Sequence, residues 1–258
     1  MLNHNFVQLR YLPVLCFVWL VSTFIVSYAV ATSLDHVYPV WPYISDTGTL
    51  PPESCIFGLM LNVGSLLMGL VLFVRYKQIK MIMQSHDRHN RILNLMNMFC
   101  FLTGMIAAIG ACIVANFQET SEITTHLFGA MLCFGVGSAY FIVHTIICFF
   151  ISRHTFSLNL LRVVLCVIYV ISFAFTMIFA RMAFAEYKVS FKGAMQWNPD
   201  NPGYDLRLTS TFSEWVLATC QGLYILSMTY DFRTISYKLT FALTEEHSGD
   251  GNRQKNSP

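Results

Sequence analysis

Apolar residues along this chain are gathered into six long stretches, which are separated by polar segments. Each stretch is close to the ~20 mostly apolar residues that a helix needs to cross the hydrocarbon of a bilayer. The sixth is the weakest, because Glu214 lies near its start and Gln221 near its middle. The pattern predicts an all-α polytopic membrane protein, a bundle of six transmembrane helices at residues 12–34, 55–74, 93–115, 127–150, 163–185 and 212–230.

Small residues recur at every fourth position in two of these stretches. Thr23, Ser27 and Ala31 do so in the first, and Gly104 and Ala108 in the third. Small side chains at this spacing let two helices approach closely. We therefore expect both stripes to be buried in the helix bundle of the monomer.

The basic residues predict the orientation. Twelve of the 16 lysines and arginines fall in the N-terminal segment, in the segments after the second and fourth spans, and in the tail. Because basic segments stay in the cytosol, residues 1–11 and the tail at 231–258 are both predicted to be cytosolic, and the polar end of the tail to be disordered. The segments at 35–54, 116–126 and 186–211 are then luminal loops.

Composition agrees with a bilayer as the solvent. Apolar residues make up 55% of the chain and charged residues 12%, about half the charged fraction typical of a soluble domain. The net charge of +2 is too small to favour a nucleic-acid partner. No GxSxG, HExxH, P-loop or CxxC motif occurs, so we predict no catalytic residue, metal or cofactor.

The predicted luminal loops hold the candidate chemistry. The first and the third are dense in proline and glycine, which predicts folded, turn-rich loops. Several acids and His126 could meet at this face and form a polar site for a lipid headgroup or for sensing pH. The acids are Asp46, Glu53, Glu119, Glu122 and Glu214. The candidate cluster comprises Tyr43, Ser45, Asp46, Thr47, Gly48, Glu53, His126, Trp197, Asn198 and Glu214.

A structural interpretation of the same residues competes with the functional one. Residues 45–48 would form a capped turn, and Glu53 would begin the second helix, where the helix dipole favours an acid. A charge at the entry of a membrane span is costly without a partner. We therefore expect Glu214 to form a structural ion pair with Arg181, at the end of the fifth span.

Three polar residues fall inside the predicted spans. Asn62 and Gln221 are expected to form hydrogen bonds between helices. His144 stands alone, because no carboxylate is expected at the same depth of another span, so a neutral histidine bonded to a serine or threonine hydroxyl is favoured over a proton relay. Cys148 lies near the cytosolic end of its span, where palmitoylation is an option.

Several distinctive strings of residues lie along nearly the whole chain, each occurring once. In order they are Pro42-Tyr43-Ile44-Ser45-Asp46-Thr47-Gly48, Pro51-Pro52-Glu53-Ser54, Ile113-Val114-Ala115-Asn116-Phe117-Gln118, Trp197-Asn198-Pro199, Glu214-Trp215 and Asp231-Phe232. In these strings the chain closely resembles the damage-regulated autophagy modulator (DRAM) family, within the broader group of FRAG, DRAM and SFK membrane proteins. That group is understood as six-helix, in agreement with the span count.

The resemblance implies a non-enzymatic lysosomal or other endomembrane protein that promotes autophagy and, in some members, cell death. Other members of the broader group are linked to remodelling of glycolipid anchors or to phosphoinositide and lipid-asymmetry control. A lipid-handling protein, with lipid remodelling left open, is therefore the alternative, and a small-molecule transporter the third candidate. Membrane lipids are the expected partners, and other membrane proteins stay open. The plasma membrane, Golgi and ER remain alternatives to the lysosome.

Overall fold

The computed structural model describes residues 7–85, 90–151 and 155–237. Eight helices carry the fold: α1 (Leu12–Ser33), α2 (Glu53–Ser85), α3 (Arg91–Asn116), α4 (Ile123–Ala130), α5 (Gly137–Ile151), α6 (Phe156–Glu186), α7 (Phe191–Ala194) and α8 (Tyr204–Asp231). A π-helical segment, Met131–Val136, joins α4 to α5. Single 3-10 turns lie at Leu9–Tyr11, Asp46–Gly48 and Phe232–Thr234, and two-residue strands at Val7–Gln8 (β1) and Ser236–Tyr237 (β2). The predicted disorder at the end of the tail concerns residues outside those described.

Five helices are long and apolar enough to cross a membrane: Leu9–Ser33, Glu53–Ser85, Arg91–Asn116, Ile123–Ile151 and Phe156–Glu186. They contain the first five predicted spans. The sixth predicted span lies inside α8, which has 28 residues and is more polar than the others. The structure thus confirms an all-helical membrane protein with five candidate spans.

Several helices extend beyond the apolar stretches that predicted them. α2 continues to Ser85, so that the residues after position 74, expected in a loop, are helical. Arg75 and Gln78 are buried in this extension, and their contacts with other helices hold it in place. α3 begins at a cap, where the Asn90 side chain accepts hydrogen bonds from the backbone N–H groups of Ile92 and Leu93.

The helices form a closed ring. α1 packs against α2, α2 against α3, α3 against α4 and α5, α5 against α6, α6 against α8, and α8 again against α1. The short strands close the chain, because β1 pairs with β2 in antiparallel register, Val7 opposite Tyr237 and Gln8 opposite Ser236. The first and last described residues therefore lie at the same end of the bundle.

Close contacts between helices use the predicted small residues. Thr23, Ser27 and Ala31 of α1 are fully buried, and Ala108 of α3 is 5% exposed. α3 and the π-helical segment approach each other very closely at Gly110, where a Cβ atom would lie 2.4 Å from the backbone nitrogen of Cys133. Both stripes are therefore buried, as the spacing predicts.

Large apolar side chains cover the outside of the ring. Leu59, Leu66, Ile92 and Leu95 are each more than 60% exposed. A soluble monomer rarely exposes apolar surface so continuously. The outer surface therefore needs hydrocarbon around it.

Candidate functional site

The first long loop, residues 34–52, folds into the end of the helix bundle rather than over it. We call this the long-loop end; the second long loop, residues 187–203, covers it as well. Tyr43 and Ile44 are under 10% exposed, and Thr47 is fully buried. The Tyr43 hydroxyl donates to Ser210 Oγ at 2.6 Å, and the Ile44 backbone N–H donates to Glu214 Oε2 at 2.7 Å. The loop is therefore fixed to α8 through both residues.

Gly48 shows why this loop needs a residue without a side chain. A Cβ atom at this position would lie 2.4 Å from Cγ of Phe57, the first large side chain of α2 that it meets. Thr47 faces the other way, with its Oγ1 at 3.0 Å from Ser27 Oγ of α1. The turn is thus wedged between α1 and α2.

A buried ion pair lies at the centre of the long-loop end. Arg207 Nη2 donates to Asp46 Oδ2 at 2.6 Å, and the same oxygen accepts the Tyr43 backbone N–H at 3.1 Å. The guanidinium carbon of Arg207 lies 5.0 Å from the ring centroid of Tyr43 and 5.3 Å from that of Trp197. Asp46 therefore bonds to the backbone of its own loop and joins that loop to α8. The turn at Asp46–Gly48 has no side-chain cap, so the capped turn that the sequence suggested is not formed.

Glu119, in the short loop before α4, is the second buried acid. Its Oε2 accepts a hydrogen bond from Ser45 Oγ at 3.2 Å. Burial raises the pKa of Glu119 well above its ordinary value, and the nearby acids Asp46 and Glu214 raise it further, while Arg207 opposes them. The carboxyl group is thus held in a site that favours its neutral form.

A cavity of about 280 Å³ opens beside these groups, between α4, α6 and α8. Its wall is mostly apolar and includes a group of polar side chains. His126 also lines the cavity, and its Nδ1 lies 2.7 Å from the carbonyl oxygen of Phe117. Because a carbonyl only accepts, Nδ1 donates there. The polar lining residues are Tyr43, Ser45, Asp46, Glu119, His126, Thr176, Arg181, Arg207 and Glu214, and the apolar wall includes Leu127, Phe134, Phe173, Met177 and Ala180.

The structure brings five of the ten predicted cluster residues to the cavity wall: Tyr43, Ser45, Asp46, His126 and Glu214. Thr47 and Gly48 lie outside the cavity wall, where the turn packs against α1 and α2. Glu53 lies elsewhere, with its Oε1 at 2.5 Å from His36 Nδ1. Trp197 and Asn198 also lie outside the cavity: Trp197 donates from Nε1 to the Pro202 carbonyl, and Asn198 forms a turn with Asn201.

The predicted ion pair between Arg181 and Glu214 is not formed. Arg181 is exposed at the cavity wall, where water can solvate its charge. Glu214 accepts the Ile44 N–H instead. The basic residue that forms an ion pair with an acid here is Arg207. The sequence placed Arg207 in the predicted luminal loop at 186–211. α8 begins at Tyr204, and the spacing of seven residues from Arg207 to Glu214 places both on one helix face.

The intramembrane polar residues found partners on other helices. Asn62 and Asn116 exchange side-chain hydrogen bonds at 3.0 and 3.1 Å, which join α2 to α3. Gln221 accepts from the Tyr169 hydroxyl at 3.2 Å, which joins α8 to α6.

His144 does not stand alone, because its Nε2 accepts from Arg75 Nε at 2.9 Å. Its Nδ1 lies 2.9 Å from the hydroxyl oxygen of Tyr224. The expected hydroxyl partner is therefore a tyrosine and not a serine or threonine.

Sequence reasoning missed the buried polar cluster around His144, at the end of the bundle opposite the long loops. Arg75 and Arg162 are 2% and 0% exposed. Arg162 hydrogen-bonds Asp231, and Arg75 Nη1 lies 3.4 Å from the same carboxylate. Both guanidinium groups also reach Cys148 Sγ, at 3.3 and 3.4 Å. That thiol is fully buried, which leaves no access for the palmitoylation that the sequence suggested.

We expect Asp46→Asn to destabilise the fold by about 3–5 kcal/mol, because it leaves the buried Arg207 charge without a counter-ion. Thermal unfolding of the purified chain in detergent measures this effect. Asp200→Asn, at an exposed position in the second long loop, is the matched control and should leave the midpoint unchanged. Equal midpoints for the two variants would contradict a stabilising role for the pair.

The raised pKa of Glu119 predicts that the stability of the fold depends on pH. The folded chain keeps a proton on Glu119 that the unfolded chain releases above the ordinary carboxyl pKa of 4.5. The stability from this group is therefore complete below that value and is lost as the pH rises through the raised pKa. As the pH rises above the ordinary carboxyl value of 4.5, the wild type should lose stability relative to Glu119→Gln.

The unfolding midpoints of both proteins across this range measure the difference. Glu122→Gln, at an exposed acid on the same loop, should follow the wild type throughout. Parallel curves for the wild type and Glu119→Gln would show that Glu119 is not held neutral by the fold.

Comparison with known proteins agrees with the pattern of strings and spans. The model of the Frag1/DRAM/Sfk1/Cwh43P N-terminal domain matches residues 8–235. DNA damage-regulated autophagy modulator protein 2 of Bos taurus is 35% identical over 240 residues, which cover 91% of this chain and 88% of the relative. Protein 1 of Homo sapiens is 32% identical over 242 residues, 94% of this chain and 97% of that protein.

A more distant similarity covers part of the chain. The modulator of macroautophagy TMEM150B-B of Xenopus laevis is 35% identical over 143 residues, 55% of this chain and 58% of that protein. No solved structure matches. The family model spans almost all of the described residues, and the chain therefore belongs to the DRAM family within the Frag1/DRAM/Sfk1/Cwh43P group.

Proposed function

We propose that this protein is a six-span endomembrane protein that modulates autophagy from the lysosomal membrane, without catalysing a reaction and with both termini in the cytosol. The names of its relatives support the role in autophagy. An effect on cell death belongs to the same proposal, since the family resemblance implies it for some members. The pairing of β1 with β2 supports the topology, because two ends on one side of a membrane require an even number of spans.

α8 is the sixth span in this proposal. At 1.5 Å per residue its 28 residues extend about 42 Å, enough to cross the hydrocarbon core. Its polarity does not oppose this role, because residues such as Arg207, Ser210 and Thr211 are buried against the rest of the ring. A polar side chain that faces other helices is far less costly than one that faces lipid.

Epitope tags at the two termini test the topology. After selective permeabilisation of the plasma membrane, antibodies should reach both tags, because both lie in the cytosol. A tag inserted after Asp200, in the second long loop, should be protected until the internal membranes are opened. Access to only one terminal tag would contradict the six-span arrangement.

Loss of the gene should slow the flux of a fluorescent autophagosome reporter, and the tagged protein should coincide with lysosomal markers. Re-expression of the wild type should restore the flux, which controls for indirect effects. Normal flux together with a Golgi location would overturn this proposal and favour the alternative.

That alternative is a lipid-handling protein, and the cavity at the long-loop end favours it. The cavity wall is mostly apolar and includes a group of charged side chains, as expected of a site for an amphiphile. Its volume of about 280 Å³ suffices for a small headgroup and part of a chain.

A further inference from the structure

A second cavity lies between α2 and α3, at the end of the bundle opposite the long loops, and we call it the α2–α3 groove. Its volume is about 550 Å³. The lining side chains recur at every third or fourth position of each helix, so each helix presents one face to the groove. On α2 they include Tyr76, Lys80 and Gln84, and on α3 Arg91, Asn94 and Leu95.

The two walls are fixed to each other at one level of the groove. Asn97, which also lines it, is 3% exposed. Its Nδ2 donates to the backbone carbonyl of Tyr76 at 3.1 Å. The ring of Tyr76 stacks on that of Phe101, with the ring centroids 4.8 Å apart. The groove is therefore formed by the packing of α2 on α3.

The groove carries two positive charges, from Lys80 and Arg91, and none of the described residues that line it is acidic. Both side chains are exposed, and among the described residues neither forms an ion pair. The side-chain amides of Gln84 and Asn94 add further N–H donors to the wall. An anion with several acceptor oxygens would complement this set of donors.

The position of the groove along α2 matches the depth of a lipid headgroup. The predicted apolar stretch of α2 ends at position 74, while the helix continues to Ser85. At 1.5 Å per residue, Lys80 lies about 9 Å beyond that stretch, at the level where the hydrocarbon core gives way to headgroups. Leu95 and Met98 line the groove from α3 and are 61% and 43% exposed, so the groove continues onto the apolar outer surface of the ring.

We propose that the α2–α3 groove binds an anionic phospholipid whose headgroup is a phosphate monoester. Arg91, Lys80 and the Asn94 amide donate to its phosphate oxygens. An acyl chain lies against Leu95 and Met98. A monoester fits because it carries about 1.5 to 2 negative charges at neutral pH and offers three free acceptor oxygens, whereas a phosphodiester carries a single charge. This site is separate from the cavity at the long-loop end and goes beyond the proposed function.

Lys77 distinguishes a specific site from a general attraction between basic residues and an anionic membrane. It lies on α2 and is exposed, as Lys80 is, but it does not line the groove. Its Nζ lies 5.5 Å from the ring centroid of Phe73 instead. A general attraction would use both lysines equally, whereas the groove uses Lys80 alone. Lys77→Gln is therefore the matched control for Lys80→Gln.

Binding is tested with the purified full chain in detergent. Dioctanoyl phosphatidic acid, phosphatidylglycerol and phosphatidylcholine are added separately, and glycerol 3-phosphate serves as the headgroup without chains. Native mass spectrometry counts bound lipid, and the shift of the unfolding midpoint reports the affinity. We expect phosphatidic acid to bind and the other two lipids to have at most about a tenth of its affinity, the effect of one lost charge-assisted hydrogen bond. Glycerol 3-phosphate, which buries no chain, should also bind at least about tenfold more weakly.

Lys80→Gln and Arg91→Gln, made separately, each remove one charge from the groove and should lower the affinity for phosphatidic acid about tenfold or more. Lys77→Gln should bind like the wild type. Asn94→Glu introduces a carboxylate near the start of α3, where the helix dipole favours an acid, and should repel the phosphate. All four positions are exposed, so each variant should keep the unfolding midpoint of the wild type without lipid.

Each opposite outcome overturns a stated part of the inference. No binding of phosphatidic acid, or unchanged binding in all the groove variants, removes the site. An equal loss in Lys77→Gln and Lys80→Gln replaces the groove by a general attraction to basic residues. Equal binding of phosphatidylglycerol removes the monoester, equal binding of phosphatidylcholine removes the anion, and equal binding of glycerol 3-phosphate removes the chain. These measurements use neither autophagic flux nor topology, so their failure contradicts this inference alone, and normal flux after gene loss contradicts the autophagy proposal alone.

Discussion

The apolar outer surface of the ring is the constraint on which the rest of the structure depends. In hydrocarbon no water satisfies backbone N–H and C=O groups, so each segment that crosses must be a helix. A charge that faces lipid is costly, so charged side chains point inward and must find partners there. Arg162 is 0% exposed and Asp46 2%, and each has an oppositely charged partner on another segment of the chain.

These partners form two buried polar clusters, one at each end of the bundle, and α8 contributes to both. Arg207 meets Asp46 at the long-loop end, and Asp231 meets Arg75 and Arg162 at the other. Removal of one partner of a buried pair costs several kcal/mol, so each cluster fixes the position of α8 relative to its neighbours. The low hydropathy of α8 follows from this role, since many of its polar residues face protein.

The cavity between α4, α6 and α8 connects the fold to its proposed function. The π-helical segment contributes Phe134 to its wall and the first long loop contributes Tyr43, Ser45 and Asp46, so the cavity has both charged and apolar parts. An autophagy-modulating role and a lipid-binding cavity are compatible. A membrane protein that responds to a lipid can regulate a membrane process without chemistry on that lipid.

The sequence by itself determined the membrane-protein class, the five strongest spans, the buried small-residue stripes and the family, because these depend on hydropathy and spacing that are local along the chain. It also indicated that Asp46, His126 and Glu214 would meet at one face. Only the tertiary structure decided the pairing of charges. Arg207 rather than Arg181 reaches an acid, and Arg75 and Arg162 turn inward although the sequence placed them among the basic residues of the predicted cytosolic segments. A side chain's partner depends on how helices far apart in sequence are rotated and packed against each other, and no local pattern records that rotation.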